Sequence, residues 1–112
     1  MSRKAATAGT SLRIELSLEG ERCVCRVSGD LDAGSAARLR AVLAERLDEG
    51  RDAVIDLAGL AFIDSSGIGV LVGALKRFEA AGARLALRAP TASLRRVLDM
   101  TGLAGAFPVD DD

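Results

Sequence analysis

The stretch Ile63-Asp64-Ser65-Ser66-Gly67-Ile68-Gly69 decides how this chain is read. Before it runs Ala53-Val54-Ile55-Asp56-Leu57, apolar and β-branched, which predicts a buried strand. After it, apolar residues fall at 68, 71, 72, 75 and 78. That is the spacing of one helix face, and the helix predicted over 66–81 ends at Gly82. Asp and Ser cap helices because their oxygens accept hydrogen bonds from the free N–H groups of the first turn. The two serines are therefore expected at a helix N-terminus, at the end of a core strand, where another protein can reach a hydroxyl. A phosphate would be tolerated locally, because the helix amides and dipole favour negative charge.

Residues 1–10 are small, polar and weakly basic and read as a flexible tail. Residues 11–18 alternate, with Leu12, Ile14, Leu16 and Leu18 opposite Arg13, Glu15 and Ser17, as in a half-buried strand. Residues 22–28 alternate again, with Cys23, Cys25 and Val27 opposite Val24 and Arg26. The short turn Glu19-Gly20-Glu21 makes these two strands an antiparallel hairpin. Gly29-Asp30-Leu31-Asp32 closes the second strand, and Asp32 is the expected N-cap of an amphipathic helix over 33–49. Apolar residues at 36, 39, 42, 43 and 47 mark its buried face, and Gly50 suits its C′ position.

Residues 58–62 read as a linker. Residues 84–88 read as a further strand, and Pro90 breaks the chain after it. Thr91 can cap the next helix, which is lined by Leu94, Val97 and Leu98 and stops at Gly102. A short edge strand over 106–109 and an acidic C-terminal tail over 110–112 complete the chain.

The order is ββαβαβα(β). It predicts an α/β fold in one domain over 11–109, with a mostly parallel mixed sheet of four to five strands, an N-terminal hairpin and three main helices. Sites in such sheets gather at the carboxyl ends of strands. Two such ends carry acids, at Asp30 and at Asp64 before Ser65. If the second and third strands are neighbours, Asp30 and Ser65 share one edge.

Composition narrows the chemistry. At 112 residues the chain is one domain and should bury roughly 65% of its unfolded surface. With three Phe and no Trp or Tyr, its core must be aliphatic. Histidine is absent. That excludes a Ser-His-Asp hydrolase, a His acid/base and a His metal ligand. Cys23 and Cys25 are the only cysteines. They are too few for a zinc site and read as core filling. A net charge of −1 steers the chain towards neither nucleic acid nor anionic membrane. No apolar run approaches the roughly 20 residues of a membrane span. The first residues, Met1 to Ala6, lack the apolar region of a signal peptide. The expectation is a cytoplasmic protein that is not an enzyme and takes no cofactor or metal.

Three motifs, in order, resemble those of bacterial anti-sigma factor antagonists, which are single STAS domains. Asp64-Ser65-Ser66-Gly67-Ile68-Gly69 resembles the family signature. Gly29-Asp30-Leu31-Asp32 is similar to its Gly-[Asp/Glu]-Leu-Asp element, and Asp99-Met100-Thr101-Gly102-Leu103 to its Asp-Met-[Ser/Thr]-Gly-Leu element. Asp30 where Glu is frequent, and Thr101 where Ser is frequent, preserve charge and hydroxyl. The resemblance covers about residues 11–109 and implies a partner switch. Ser65, directly after the Asp, is then the residue phosphorylated by a partner that is both anti-sigma factor and serine kinase. The unphosphorylated domain binds that partner and frees a sigma factor. Phosphorylation ends the complex, and a serine phosphatase restores it. The family also makes Asp30 a candidate for partner recognition.

Opposite the apolar stripe of the 66–81 helix lie Ser66, Gly69, Gly73, Lys76 and Ala80. Two glycines inside a helix cost about 1 kcal/mol each against Ala. They mark either a partner-docking face beside Ser65 or close packing within the domain. The expected partner-binding set is Asp30, Asp64, Ser66, Gly67, Gly69, Gly73 and Lys76. A homodimer stays open on the sequence. A STAS adaptor without a switch, in a stressosome-type scaffold or regulating a transporter ATPase, would use the same helix face. A receiver domain with Asp30, Asp32 and Asp64 around Mg²⁺ suits the strand-end acids. It lacks a lysine from a late strand, since the only lysines are Lys4 and Lys76. No glycine-rich nucleotide motif is present, because Gly67-Ile68-Gly69 with Gly73 does not make G-x-G-x-x-G.

Overall fold

The computed structural model describes residues 12–102, 105, 107 and 109–110. The two alternating runs form β1 (Arg13–Glu19) and β2 (Arg22–Leu31), paired antiparallel through a turn at Gly20. Helix α1 (Ala36–Asp48) carries the chain back to β3 (Ala53–Ile63), which lies parallel beside β2. Helix α2 (Ser65–Ala80), β4 (Leu85–Arg88), α3 (Ala92–Thr101) and β5 (Val109–Asp110) follow. Both later strands add parallel, so the five-stranded sheet has the order β1-β2-β3-β4-β5. This is the mixed, mostly parallel sheet and element order read from the sequence.

All three helices pack on one face of the sheet. Leu39 and Leu43 of α1, Val70, Leu71, Leu75 and Phe78 of α2, and Leu94 and Leu98 of α3 join one cluster with Cys23, Cys25, Val27, Ile55, Leu57, Leu85 and Leu87. The two cysteines are core, as their spacing suggests. Burial, with Cys23 alongside, pushes the Cys25 thiol up to about 12, so it stays protonated and unreactive.

The opposite face carries no helix among the described residues. There Val24, Val54 and Ala86 form a small buried row of their own. Charged side chains flank it. Arg88 of β4 donates two hydrogen bonds of 2.9 Å to the carboxylate of Glu19 on β1. Since β2 and β3 lie between those strands, the pair reaches over the apolar row. Arg26 and the buried Asp56 form a longer contact of 3.6 Å nearby. Asp56 also accepts from the Ala58 N–H at 3.0 Å, which answers the need of a buried acid for a partner.

The structure corrects the sequence reading at four places. Residues 58–62 are strand, not linker, because β3 continues to Ile63. Its register against β2 slips twice, between Arg26 and Ser28 and between Gly29 and Asp30, each time with one extra residue on β3. These bulges hide a continuous strand from period-2 reading. Gly29 takes φ +91 at the second one, a conformation suited to glycine. Helix α1 starts at Ala36 rather than at 33, because Asp32 organises a turn first. The apolar face of β1 is covered only in its first half. Leu12 is buried, whereas Leu16 and Leu18 are 45% and 59% exposed. The tail expected over 1–10 and residues 111–112 lie outside the described residues, as does Ala106. Asp110, read with the acidic tail, belongs to β5.

The Arg88 and Arg22 guanidiniums hold the Glu19 carboxyl at about 2, below its ordinary 4.5. A depressed carboxylate stabilises the fold above the unfolded value, and that stabilisation is lost as pH falls through the folded value. Urea unfolding of wild type and Glu19→Gln should therefore differ most above pH 4.5. The difference should shrink steadily towards pH 2, with Glu19→Gln the less stable protein at neutral pH.

Candidate partner-binding site

The carboxyl ends of β2 and β3 meet where the sequence motifs converge. Asp30 stands opposite Phe62, and Leu31 opposite Ile63. The sharing of one edge by the Asp30 and Ser65 segments, conditional on the sequence, follows from this pairing. The Asp64 N–H then donates to the Leu31 carbonyl at 3.2 Å, so the end of β2 holds the start of α2.

Asp64 is the N-cap of α2. Its Oδ1 accepts from the Ser66 N–H at 2.9 Å and the Gly67 N–H at 3.1 Å. This settles the order of duties in the motif. Asp64 satisfies the helix amides, so neither serine is spent as the cap. Ser65 is the first residue of the helix and is exposed. Ser66 is half-buried and contributes its backbone to the cap.

The neighbouring loop is equally fixed. The Asp32 Oδ1 accepts from the Gly34 and Ser35 N–H groups at 3.0 and 3.1 Å. The fully buried Ser35 hydroxyl donates to the Asp30 carbonyl at 3.0 Å and accepts from the Asp32 N–H at 3.0 Å. Asp30 is thus held by its backbone, leaving its half-buried carboxylate beside the Phe62 position. Ser35 was not singled out in the sequence, since a serine before a helix reads as an ordinary cap. It is the N-cap by position, but its side chain makes no cap hydrogen bond.

Two residues stand where sequence spacing does not place them. Phe62 is 51% exposed at the edge of a groove of about 300 Å³, lined also by Leu60, Ala61, Ile63, Thr91 and Ser93. Phe62 lies across from Asp30 and three residues before Ser65, so its exposed ring stands at the same sheet edge as both. The signal was the Phe itself, in a segment otherwise taken for a linker. Gly67, expected to face a partner, is buried. A Cβ there would lie 2.7 Å from the Leu31 Cγ, 2.8 Å from the Ile63 Cγ1 and 2.9 Å from the Leu31 carbonyl oxygen. Gly67 lets the helix start sit against the two strand ends.

Gly69 and Gly73 behave differently. A Cβ at Gly69 would meet nothing within 4 Å, and one at Gly73 only the Arg77 Nη1 at 3.5 Å. Close packing inside the domain does not require them. With the exposed Lys76, the exposed Gly69 and the half-buried Gly73 line an open strip running along α2 from Ser65. Among the described residues, no group of three or more Cys, Asp or Glu side chains is arranged to hold a metal. Asp64 is turned to its own helix amides rather than towards Asp30 and Asp32.

The family model described as STAS domain matches residues 13–112. The chain belongs to the STAS domain family. This STAS domain is 34% identical over 85 residues to an anti-sigma F factor antagonist of Lysinibacillus sphaericus, covering 74% of this chain and 73% of that one. Its fold is similar to that of the anti-sigma factor antagonist SpoIIAA in its unphosphorylated form, with a TM-score of 0.73 and 25% identity over 89% of each chain. It is equally similar to the Bacillus cell fate determinant SpoIIAA in the phosphorylated form, with a TM-score of 0.72 and 26% identity over 89% of this chain and 93% of that one. Among the described residues, no helix of the STAS domain is long and apolar enough to cross a membrane.

The geometry separates the glycines by experiment. Gly67→Ala should destabilise the fold by about 1–3 kcal/mol, the cost of overpacking. Gly69→Ala and Gly73→Ala should each stabilise it by up to about 1 kcal/mol, since Ala is the better helix former and meets open space. Asp64→Ala should cost about 0.5–2 kcal/mol for the lost cap. Chemical denaturation of the four variants reads all of these.

Proposed function

We propose that this STAS domain is an anti-sigma factor antagonist regulated at Ser65. Unphosphorylated, it binds an anti-sigma factor that is also a serine kinase, and so releases a sigma factor for transcription. ATP-dependent phosphorylation of Ser65 separates the two proteins, and a serine phosphatase resets the domain. The domain carries out no chemical step of its own. Its task is to present a hydroxyl and a contact surface, in the cytoplasm, where sigma factors act.

The observation that carries this reading is the exposed position of Ser65 with the cap duty already filled by Asp64. A kinase can take the Ser65 hydroxyl without removing a helix cap. The contact surface would comprise Asp30 and Phe62 at the strand ends, Ser66 beside the cap, and the Gly69, Gly73 and Lys76 strip along α2. Glycines that stabilise nothing within the domain are consistent with the close approach of another backbone. Asp64 and Gly67 would serve this surface indirectly, by holding its shape.

Charge explains the release. A phosphoserine adds roughly −1.5 to −2 charges. One unit-charge pair at about 6 Å, with an effective dielectric of about 20, is worth on the order of 3 kcal/mol. Solvent lowers this, yet about 3 kcal/mol corresponds to a hundredfold or more in affinity. Within the domain the N-terminal amides of α2 offset part of the repulsion from Asp64. The phosphorylated domain is then expected to keep its fold and lose its partner. The similar match of this chain to both SpoIIAA forms supports a switch without refolding.

Incubation with the kinase and labelled ATP should label wild type on Ser65. Ser65→Ala should carry no label and bind the partner in the presence of ATP. Label persisting in Ser65→Ala would reject the assignment. Ser65→Asp should weaken binding by about tenfold or more while its thermal midpoint stays near wild type. For the docking strip, Gly73→Arg should abolish binding, and unchanged affinity in calorimetry would remove α2 from the interface.

A further inference from the structure

The exposed half of β1 stands apart from the proposed switch. β1 is an edge strand, and among the described residues nothing pairs with its outer side. Edge strands are ordinarily blunted by Lys, Pro, bulges or short length. β5, at the other edge, has two residues. β1 has seven, runs in unbroken register against β2 and contains neither Lys nor Pro. Leu16 and Leu18 are 45% and 59% exposed, on the helix-bearing face. They line a groove of about 280 Å³ whose far wall is the end of α1 at Arg46 and Glu49. Leu12 is closed off differently, because Arg38 of α1 donates to its carbonyl at 3.0 Å. The free edge is therefore 13–19.

We propose that this edge pairs with the same edge of a second copy, antiparallel about a two-fold axis at Leu16, giving a ten-stranded sheet. The strand is complementary to itself in that register. Leu16 faces Leu16 and Ile14 faces Leu18, which covers the exposed apolar residues. On the other face Arg13 stands opposite Glu19, whose carboxylate Arg88 and Arg22 of its own chain already hold, and Glu15 stands opposite Ser17, so no two acids meet. Opposite charges set across a pair of strands stabilise it, and like charges oppose it. The neighbouring symmetric registers fail on that count. An axis at Glu15 sets two copies of Glu15 face to face, and an axis at Ser17 sets Glu15 against Glu19. A one-residue slip without two-fold symmetry turns the apolar residues to the wrong face. Such an interface is isologous and closed, so association stops at the dimer. It is also small, which makes the dimer concentration-dependent.

The pairing leaves the Ser65 surface open, since that surface lies at the ends of β2 and β3 and not along β1. Because the axis reverses strand direction, the two Ser65 surfaces point to opposite ends of the joined sheet. One dimer would present two partner sites facing away from each other.

Sedimentation equilibrium of the full chain tests this between about 10 µM and about 1 mM, the span of a weak interface. The mass should rise from one chain towards two. Leu16→Lys and Arg13→Glu should each stay at one chain throughout, with thermal midpoints near wild type because both positions are exposed. The register is read by oxidising a mixture of Glu15→Cys and Ser17→Cys, whose thiols lie on the face away from Cys23 and Cys25. The mixture should give the mixed dimer, and each variant alone far less. Wild type at one chain mass over the whole range overturns the proposal, as does association that survives Leu16→Lys. Association seen only after removal of residues 1–11 also overturns it, by assigning the edge to the N-terminal segment.

Discussion

One residue, Asp64, joins the two layers of this domain at the point where they matter most. Its N–H is held by the Leu31 carbonyl at the end of β2, and its carboxylate holds the Ser66 and Gly67 amides at the start of α2. A strand from the middle of the sheet and the longest helix are thereby fixed relative to each other. The junction closes only because Gly67 has no side chain to strike Leu31 and Ile63. Everything at the candidate site takes its position from this junction. Ser65 is exposed at the first position of α2, between the capping Asp64 and the half-buried Ser66.

The sheet ends beside this junction are shaped by irregularity. Each bulge in β3 bends the strand, and together they carry Phe62 alongside Asp30 and into solvent. Ser35 does the matching work on β2, with a buried hydroxyl that ties the Asp30 and Asp32 backbones together. Strand ends held by backbone hydrogen bonds keep one shape, so a contact made there needs little rearrangement. The same reasoning accounts for the split between the glycines of α2. Gly67 faces inward and is bound by sterics, whereas Gly69 and the half-buried Gly73 have room for a Cβ.

Much of this was legible beforehand because it is local. Alternation marked the hairpin, helical spacing marked the three helices, and the order of elements implied a mostly parallel sheet. The three motifs pointed to the family. The misread places share a cause. Residues 58–62 break alternation because two bulges shift the pairing, and pairing is a property of two strands, not one. The turn at 33–35 reads as part of α1 because Asp32 suits a cap and a turn alike. The surroundings of Phe62 and Ser35 come from other segments of the fold, so the local sequence does not show them.

The sequence by itself determined the elements, the aliphatic core and the residue types at the strand–helix junction, since periodicity and capping act over a few residues. It also determined that charge and apolar groups on the first strand mirror each other about Leu16. Only the tertiary structure decided which acid caps α2, which glycine is structural, and which half of β1 remains uncovered. Each of those depends on atoms brought together from segments far apart in the chain. A single strand or helix carries no record of what will pack against it.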